Sequence, residues 1–462
     1  MNSKSVLSIA ELAGGRLGGA GEGRATGVTT DSRSIQRGEL FVALRGEKFD
    51  GHDFLASVHK SGAAAAIVEK VDAALPELPQ IQVANSLVAL QRLAKGYRAE
   101  LNLKVVGITG SNGKTSTKEM VAAVLSERFS VVKTEGNLNN HIGVPLSILR
   151  ASSKHEVAVL ELGMNHAGEL QPLVEMINPD VGVITNIGVA HIGFLETREA
   201  IAREKAVLAE GVPSRGTVVL NANNDFTRWI ATRCKAQVIQ AGLGIGDVQA
   251  RDIVPDQEGE AFTITDASGS TRAKVPVLGQ HMVLNAAMAV AVGRALGLSL
   301  EECASGLRRT SIPGGRMQFR KLGTIFLLND AYNANPDSVV AALKTASRLP
   351  LQGRRVAALG QMGELGRESL PGHRRVGSTA AELGFGLLVT VGPEARHIAE
   401  AASGSGLKEA VAVTTHEEAV EVLNRSLKCG DILLVKGSLS SRMDRVIDGL
   451  ERKENPAKWR GP

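Results

Sequence analysis

The sequence predicts an α/β protein with three domains. Its 462 residues suggest about three domains at roughly 150 residues each. Continuous apolar segments such as KVVGIT and DILLVKG alternate with helical patterns, which is typical of mostly parallel sheets covered on both faces. This alternation starts anew near residues 103 and 312, so we predict domains at 1–100, 101–312 and 313–462.

The composition is that of a globular protein of a reducing compartment. Apolar types make up 43% of the chain and charged types 22%, which is ordinary for a chain with an ample core. The three cysteines lie far apart, which argues against a disulfide framework or a zinc cluster. No apolar run reaches the roughly 18 residues needed to cross a bilayer. We therefore expect a cytoplasmic protein with no membrane span.

The charge balance favours small anionic ligands over nucleic acid. The formal net charge is +5 and the pI is near 9.1. The longest basic runs are pairs, such as Arg308 and Arg309, whereas nucleic-acid binding usually needs a dense basic face or aromatic stacking platforms. We expect no nucleic-acid partner.

The first predicted domain contains short mixed elements. Residues 41–44 form a strand candidate, and residues 53–61 a helix candidate with an acidic cap. A helix predicted over 86–99 leads into the central domain.

The central domain contains the strongest motif, GITGSNGKTS, between an apolar strand and a helix. In such a loop, backbone N–H groups and the helix N-terminus bind phosphate. Lys114 would reach the β and γ phosphates, and the Thr115 hydroxyl would bind Mg²⁺. The strict pattern needs glycine at position 108, where this chain has isoleucine, so the loop is a shortened variant. An ordinary glycine-rich turn is the alternative, and the G-K-T between strand and helix favours a nucleotide site.

Glu161 ends the apolar strand VAVLE in the same domain. A carboxylate there can hold the magnesium of a phosphate loop, although a lone strand-end glutamate is often only a surface residue. His191 follows another strand in a glycine-rich loop. Lys205 lies on the next helix, where the residue pattern alone favours a solvated side chain.

The third domain is predicted to be a Rossmann-like, doubly wound α/β domain. Four apolar strands, TIFLLND, RVAALG, GLLVTVG and DILLVKG, alternate with helices. Polar clusters follow its strands, and ligands bind at such strand ends. The residues alone therefore predict a Mg²⁺-dependent enzyme that uses a nucleoside triphosphate. They do not identify the molecule that accepts the phosphoryl group.

Taken together, the motifs resemble the Mur ligase family over essentially the whole chain. TGSNGKTS is similar to the family's phosphate loop, and ELGMNHAGE, TNIGVAHI, AREKAVL, GQHMVLNA, GGRMQF and VKGS follow in family order. The extra glycine before Arg316 departs from the family pattern. NDAYNANPDS resembles the branch that adds a dipeptide.

This resemblance implies a ligase that forms a carbon–nitrogen bond at the expense of ATP, with Mg²⁺. ATP phosphorylates the terminal carboxylate of a UDP-N-acetylmuramoyl-tripeptide, and the amine of D-alanyl-D-alanine attacks the acyl phosphate. Such a reaction belongs to cytoplasmic peptidoglycan precursor synthesis, and so to cell-wall biogenesis, cell shape and cell division. We expect the enzyme to be a monomer.

The resemblance also implies roles for individual residues. Thr115 and Glu161 would hold one Mg²⁺, His191 would help to hold a second, and Lys205 would be carbamylated and act as a further metal partner. The implied catalytic residues are Lys114, His191 and Lys205. The implied ATP-binding residues are Gly110, Ser111, Asn112, Gly113, Lys114, Thr115 and Ser116 in the loop, Asn285 at the adenine, and Arg316, Asp330 and Tyr332 in the third domain.

Substrate contacts are implied in all three domains. The UDP end would bind Thr30, Asp31, Ser32 and Arg33 in the first domain, and the muramoyl peptide would lie along Asn137, Asn139, Asn140 and Asn165. The dipeptide would bind near Asn333, Asn335 and Ser338. Three alternatives remain: a sibling ligase that adds a single amino acid, a folylpolyglutamate synthase-like ligase, and a nucleotide-dependent switch that performs no ligation.

Overall fold

The structure is a computed structural model that describes residues 1–18, 23–350 and 352–454. The end of the third predicted domain, 455–462, lies outside the described residues. The described residues form four sheets. Within these ranges, no helix is long and apolar enough to cross a membrane. The three predicted ranges are called the first, central and third domains below.

The first domain contains a five-stranded sheet in the order β2-β7-β6-β5-β4 and a ribbon of β1 and β3. Strands β4 to β7 are parallel neighbours, and β2 pairs antiparallel with β7. The strands are β1 (Lys4–Ser5), β2 (Arg16–Gly18), β3 (Arg24–Ala25), β4 (Gly27–Thr29), β5 (Glu39–Val42), β6 (Ala65–Val68) and β7 (Gln80–Gln82), and the helices are α1 (Val6–Ala13), α2 (Leu55–Lys60) and α3 (Ser86–Glu100).

The first domain shows small differences from the prediction. The strand predicted at 41–44 spans Glu39–Val42, and the predicted helix begins earlier, as a 3₁₀ turn over Gly51–Phe54 before α2. This early start has a local cause, since the Asp50 carboxylate accepts a hydrogen bond from the His52 backbone N–H at 2.9 Å and so caps the turn.

The central domain is built on a nine-stranded sheet in the order β16-β15-β14-β13-β12-β11-β8-β10-β9. Its strands are β8 (Lys104–Thr109), β9 (Val131–Lys133), β10 (Val157–Glu161), β11 (Val181–Ile184), β12 (Thr217–Asn221), β13 (Gln237–Leu243), β14 (Val248–Asp256), β15 (Gly259–Asp266) and β16 (Gly269–Val275). Its helices are α4 (Lys114–Leu125), α5 (Gly143–Leu149), α6 (Leu170–Ile177), α7 (Ile192–Leu195), α8 (Arg198–Gly211), α9 (Thr227–Ala231), α10 (Gln280–Ala295) and α11 (Leu300–Arg308).

The predicted parallel sheet is confirmed from β9 to β14, and an antiparallel extension was not predicted. Strands β14, β15 and β16 pair antiparallel as a meander at one edge of the sheet. Within these strands, residues such as Ala250, Phe262 and Ile264 are buried. Because these strands alternate buried and exposed residues, they lack the continuous apolar runs by which the parallel strands are recognised.

The third domain is doubly wound, as predicted. Its six-stranded sheet has the order β17-β18-β22-β19-β20-β21 and is parallel except for the edge strand β17. The elements are β17 (Gln318–Leu322), β18 (Ile325–Asp330), α12 (Pro336–Arg348), β19 (Arg355–Gly360), α13 (Ser369–Glu382), β20 (Leu387–Val391), α14 (Arg396–Gly404), β21 (Ala410–Val413), α15 (His416–Ser426), β22 (Ile432–Lys436) and α16 (Asp444–Glu454), with short 3₁₀ turns at Gly366–Glu368 and Leu439–Ser441.

Alternate residues of each strand in this sheet enter two different cores. Leu434 packs in the core that includes residues of α12, α13 and α14, whereas Leu433 and Val435 pack in the core that includes residues of α15 and α16. Helices therefore cover both faces, which leaves the carboxyl ends of the strands as the open edge where ligands bind.

Candidate active site

The phosphate loop leaves β8 and enters α4 at Lys114. Its backbone is fixed by the segment after β11, since the Ser111 N–H donates to the Asn186 carbonyl at 3.0 Å and the Asn112 N–H to Asn186 Oδ1 at 2.8 Å. Gly113 stands at φ 80°, directly before the helix. The loop thus presents a helix N-terminus of the kind that binds phosphate.

Lys114 is partly buried at the base of this loop, where its Nζ donates to the Gly110 carbonyl at 2.8 Å. Burial lowers the pKa of Lys114 below its ordinary value; the Glu161 carboxylate opposes the shift, and the Arg316 guanidinium adds to it. The amine therefore lies among charged groups of the central and third domains. Charge of this kind at a phosphate loop suits the binding of a triphosphate.

Thr115 and Glu161 form the pair that the sequence predicts for magnesium. The Thr115 hydroxyl donates to Glu161 Oε2 at 2.9 Å, and Asn139 Nδ2 donates to Glu161 Oε1 at 2.9 Å. Glu161 reaches the loop because β10 pairs with β8 in parallel, with Glu161 opposite Ile108. A hydroxyl and a carboxylate fit Mg²⁺, which takes few protein oxygens and completes its shell with phosphates and water.

The structure does not gather a larger metal cluster. Among the described residues, no group of three or more histidine, cysteine, aspartate or glutamate side chains could hold a metal. His191 lies instead at the third domain, where its Nδ1 is 2.7 Å from Glu364 Oε2. This buried Nδ1 makes no well-aligned hydrogen bond among the described residues, yet its close contact lowers the pKa of Glu364 below its ordinary value.

A buried network supports Glu161 from behind. The Glu161 N–H donates to Thr134 Oγ1 at 3.0 Å, and Lys118 Nζ donates to the Thr134 carbonyl at 2.6 Å. Lys118 also lies 3.0 Å from the Glu119 carboxylate. Because Lys118 is 1% exposed and Thr134 is 0% exposed, this network fixes the strand end that carries the carboxylate.

Lys205 is 1% exposed, so the interpretation of this residue as solvated is wrong. Burial lowers the pKa of Lys205 well below its ordinary value, the Lys114 cation lowers it further, and Glu204 opposes the shift. Its amine has no hydrogen-bond or ion-pair partner among the described residues. A buried, unpaired amine next to a second cation loses its proton readily.

Asn285 packs against the phosphate loop. A Cβ at Gly113 would stand 2.8 Å from Asn285 Oδ1, so only glycine leaves room for this side chain. One helical turn before Asn285, His281 lines a cavity of about 370 Å³ between α10, α12 and the β14–β15 hairpin. Burial lowers the pKa of His281 to about 4, although its ring is only partly buried because it faces this cavity.

The third domain brings Arg316, Tyr332 and Asp330 together, as the resemblance implies. The Arg316 guanidinium lies 3.7 Å from the centre of the Tyr332 ring, a cation–π contact. Its buried Nε has no hydrogen-bond partner among the described residues. Asp330 pairs with Lys436 at 2.6 Å and also accepts the Met317 N–H at 3.1 Å.

Asn335 and Ser338 perform a structural task that the sequence did not reveal. Together they form the capping box at the start of α12. The Asn335 amide also faces the phosphate loop, since its Nδ2 donates to Asn112 Oδ1 at 2.7 Å. Asn333 is exposed, and its carbonyl accepts a hydrogen bond from Lys436 at 2.8 Å. Asn333 Oδ1 accepts the Ala334 N–H at 2.9 Å, so its Nδ2, which has no hydrogen bond among the described residues, is the group left for a ligand.

The candidates in the first domain follow strand β4. Thr30 and Ser32 are partly buried, and the exposed Arg33 folds back on Asp31 with a contact of 2.8 Å between Nη2 and Oδ2. The hydrogen bond from the Arg33 side chain lowers the pKa of Asp31 to about 2. The segment after β4 is therefore a polar turn in which the charges of Asp31 and Arg33 are paired.

A cavity of about 280 Å³ lies where the first domain faces the central domain. Arg45 and Glu69 line it on one side and His141 on the other. His141 follows Asn140, whose Oδ1 accepts the Gly143 N–H at 2.9 Å. The cavity therefore adjoins the loop whose Asn139 contacts Glu161.

The remaining asparagine candidates for the peptide channel are exposed and make few contacts with the rest of the site. Asn137, Asn140 and Asn165 are exposed, and the Asn165 N–H donates to Glu169 Oε2 at 2.7 Å. Of the four asparagines predicted along the peptide channel, only Asn139 contacts the Thr115–Glu161 pair.

Sequence reasoning missed several residues of this site. Lys436 could have been recognised from the sequence, because it lies in the motif VKGS at a strand end. Asn186 lies in the motif TNIGVAHI, but the hydrogen bonds that Asn186 and Thr134 accept from backbone N–H groups depend on how distant segments pack. Arg45 and Glu364 lie in loops whose position depends on how the domains pack.

Comparison with known proteins identifies the family. A model of the Mur ligase middle domain matches residues 108–293, a model of the Mur ligase glutamate ligase domain matches 315–439, and a Mur ligase family catalytic-domain model matches 24–98. UDP-N-acetylmuramoyl-tripeptide–D-alanyl-D-alanine ligase of Bacillus subtilis is 35% identical over 458 residues, covering 97% of this chain and 99% of its own. The ligase of the same name in Escherichia coli is 34% identical and covers 98% of this chain and 99% of its own.

Solved structures agree with these matches. MurF from Acinetobacter baumannii has a TM-score of 0.90 and 33% identity, covering 97% of this chain and 99% of its own. MurF from Thermotoga maritima in complex with ADP has a TM-score of 0.84 and 27% identity, covering 94% of this chain and 98% of its own. A Mycobacterium tuberculosis folylpolyglutamate synthase, at a TM-score of 0.62 and 18% identity, shares the fold alone. The chain belongs to the Mur ligase family.

Proposed function

We propose that this chain is the ATP-dependent ligase that joins D-alanyl-D-alanine to UDP-N-acetylmuramoyl-tripeptide through an acyl phosphate. The observation that carries this proposal is identity of 32% to 36% over nearly the whole chain with ligases named for that reaction. The reaction builds a peptidoglycan precursor from soluble nucleotide-linked substrates, so we propose a cytoplasmic location.

Residues of the central domain serve the first step. Lys114 would bind the β and γ phosphates, and its charge would offset the negative charge of the transferred phosphoryl group. Thr115 and Glu161 would hold Mg²⁺, which when bound screens the repulsion between triphosphate and substrate carboxylate. Asn139 orients Glu161 by its 2.9 Å hydrogen bond. His191 would supply the contact to a second Mg²⁺ and Lys205, as the carbamate, would support it.

Residues of the third domain complete the nucleotide site. Arg316 offers its unpaired Nε toward phosphate, and Asp330 and Tyr332 would contact the nucleoside. Asn285 lies at the loop itself and would contact the adenine from the central domain. Because the loop meets α12 through the Asn112–Asn335 amide pair, closing the third domain assembles the site.

The peptide substrate would cross from the first domain to Glu161. We propose that 1–100 binds the UDP end through the turn of Thr30, Asp31, Ser32 and Arg33, that 101–312 binds ATP, and that 313–462 binds the dipeptide. The 280 Å³ cavity between the first and central domains supports this path. Asn137, Asn140 and Asn165 would line its exposed side, and Asn333 would contact the dipeptide, with Asn335 and Ser338 holding the helix behind it.

Phosphate release tests the proposal. The complete mixture holds ATP, Mg²⁺, UDP-N-acetylmuramoyl-tripeptide and D-alanyl-D-alanine, and each is omitted in turn. Release should need all four, and D-alanine alone should not replace the dipeptide. A sibling ligase would accept a single amino acid, and a nucleotide switch would release phosphate at the same rate without any amine; either result overturns the proposal. Glu175→Gln, at an exposed position on α6, is the matched control and should leave the rate unchanged.

A further inference from the structure

The turn that carries His191 is held by a loop of the third domain. We call residues 191–196 and 364–367 together the clasp. The Gly193 N–H donates to the Glu364 carbonyl at 2.9 Å, and Arg367 Nη2 donates to the Glu196 carbonyl at 3.1 Å. The clasp therefore joins the central and third domains through one backbone–backbone hydrogen bond and one hydrogen bond from a side chain to a backbone carbonyl.

The two backbones of the clasp approach closely because Gly193 has no side chain. A Cβ at this position would stand 2.8 Å from the Glu364 carbonyl oxygen and 2.9 Å from the Gly366 nitrogen. His191 and Glu364 themselves adopt left-handed backbone conformations, at φ 63° and 62°. Non-glycine residues hold such conformations only where the surroundings fix them, and they cluster at functional sites.

The side chains of the clasp meet as well. Glu364 Oε2 lies 2.7 Å from His191 Nδ1, and this buried ring nitrogen has no hydrogen-bond partner among the described residues. The Glu364 carboxylate is the acceptor within reach. Because the two atoms are already 2.7 Å apart, a small rotation about the His191 χ2 bond, a soft torsion, would align an Nδ1–H with that oxygen.

We propose that Glu364 is the positioning residue of His191. Its carboxylate accepts the Nδ1 proton and so holds the imidazole as the Nδ1–H tautomer, which leaves the lone pair of Nε2 for a ligand in the cleft. Carboxylates that orient metal-binding histidines act in this way. Because Glu364 belongs to the third domain, His191 takes its working tautomer only when the clasp is closed.

The tautomer is read by ¹⁵N NMR of histidine-labelled full-length protein without metal, at about pH 8, where ordinary histidines are neutral. The chain has ten histidines, and the His191→Asn variant assigns the signals of His191. In the natural chain we expect Nδ1 to resonate as a protonated nitrogen and Nε2 as an unprotonated one. In Glu364→Ala we expect a mixture of both tautomers.

Two further variants sharpen the test. Gly193→Ala forces the two backbones apart and should also give the mixture, whereas Glu382→Gln, at the exposed end of α13, should keep the natural pattern. A natural pattern in Glu364→Ala overturns the proposal, and so does a natural chain whose His191 is protonated at Nε2. Since the Glu364 side chain is 49% exposed, its truncation leaves no cavity that would unfold the protein.

The metal gives a second readout, which rests on the proposed function. Loss of an orienting carboxylate typically weakens metal binding by about 10- to 100-fold. The Mg²⁺ concentration for half-maximal phosphate release should therefore rise at least about tenfold in Glu364→Ala, with a smaller change in KM for ATP. If the chain proves to catalyse another reaction, the tautomer measurement still decides the role of Glu364.

Discussion

Lys205 gives the sharpest test of the catalytic site, because its amine should be converted to a carbamate by carbon dioxide. Only an unprotonated amine reacts, and an ordinary lysine with a pKa near 10.4 is only about 0.1% unprotonated near pH 7.4. Burial and the neighbouring Lys114 cation lower the pKa of Lys205 well below that range. Each unit of lowering raises the reactive fraction about tenfold until the amine is mostly neutral.

The structure supplies its own comparison in Lys118. This amine is equally buried, yet it donates to the Thr134 carbonyl at 2.6 Å and lies 3.0 Å from the Glu119 carboxylate. Both contacts engage the amine, so it is not free to attack carbon dioxide and should stay unmodified. Burial alone thus does not decide which lysine reacts. What distinguishes Lys205 from Lys118 is that its amine has no polar partner within the described part of the chain.

The assay is ¹³C NMR of the protein in ¹³C-bicarbonate. We expect a Lys205 carbamate signal, which disappears in Lys205→Ala and weakens in Lys114→Met, because removing the like charge raises the pKa of Lys205. The N-terminal amine, whose pKa is also lowered by burial, can give a second signal that both variants keep. Lys205→Ala should lose phosphate release, and excess chloride with formate or acetate should partly restore it. Persistence of the signal in Lys205→Ala, or full activity in that untreated variant, would refute the reasoning.

Three further predictions concern the site and its supports. Glu161→Gln removes the charge that faces Thr115 and should lower kcat for phosphate release by about 100-fold or more; wild-type kcat would contradict the magnesium role. Asn335→Ala removes the cap of α12 and the contact to Asn112, so urea denaturation should show about 1 kcal/mol less stability. The pKa of His281, lowered to about 4, means that the unfolded chain takes up this proton first as pH falls. This residue alone should lower the free energy of unfolding by at most about 3 kcal/mol between about pH 6.5 and 4, and His281→Gln should lose that part of the slope.

The sequence was sufficient where neighbouring elements in the chain are neighbours in space. The phosphate loop is one continuous segment of this kind. Glu161 is not, because β10 lies beside β8 although β9 comes between them in the chain. The third domain could be predicted because each of its buried strands is a continuous apolar run. Propensity and pattern report such local order directly.

The sequence was insufficient where a side chain's partner comes from a distant segment. Lys205 looked solvated because its helix is polar in pattern, and its burial depends on packing that the pattern does not encode. Asn335 looked like a ligand contact, yet it caps α12 and bonds to Asn112, 223 positions away. Glu364 lies in one of the polar clusters predicted after the strands of the third domain, but its contact with His191 arises only where the third domain meets the central domain.

The charges of the cleft explain why one site can both bind a triphosphate and modify a lysine. Lys114 lies near enough to Lys205 and to Arg316 for like-charge repulsion to lower the pKa values of both amines. Repulsion of this kind is relieved in two ways, by binding an anion or by losing a proton. Lys114, open to the loop, can take the first route with phosphate. Lys205 is 1% exposed and has no hydrogen-bond or ion-pair partner among the described residues, so proton loss is its remaining route, and the neutral amine that results is the form that carbon dioxide attacks.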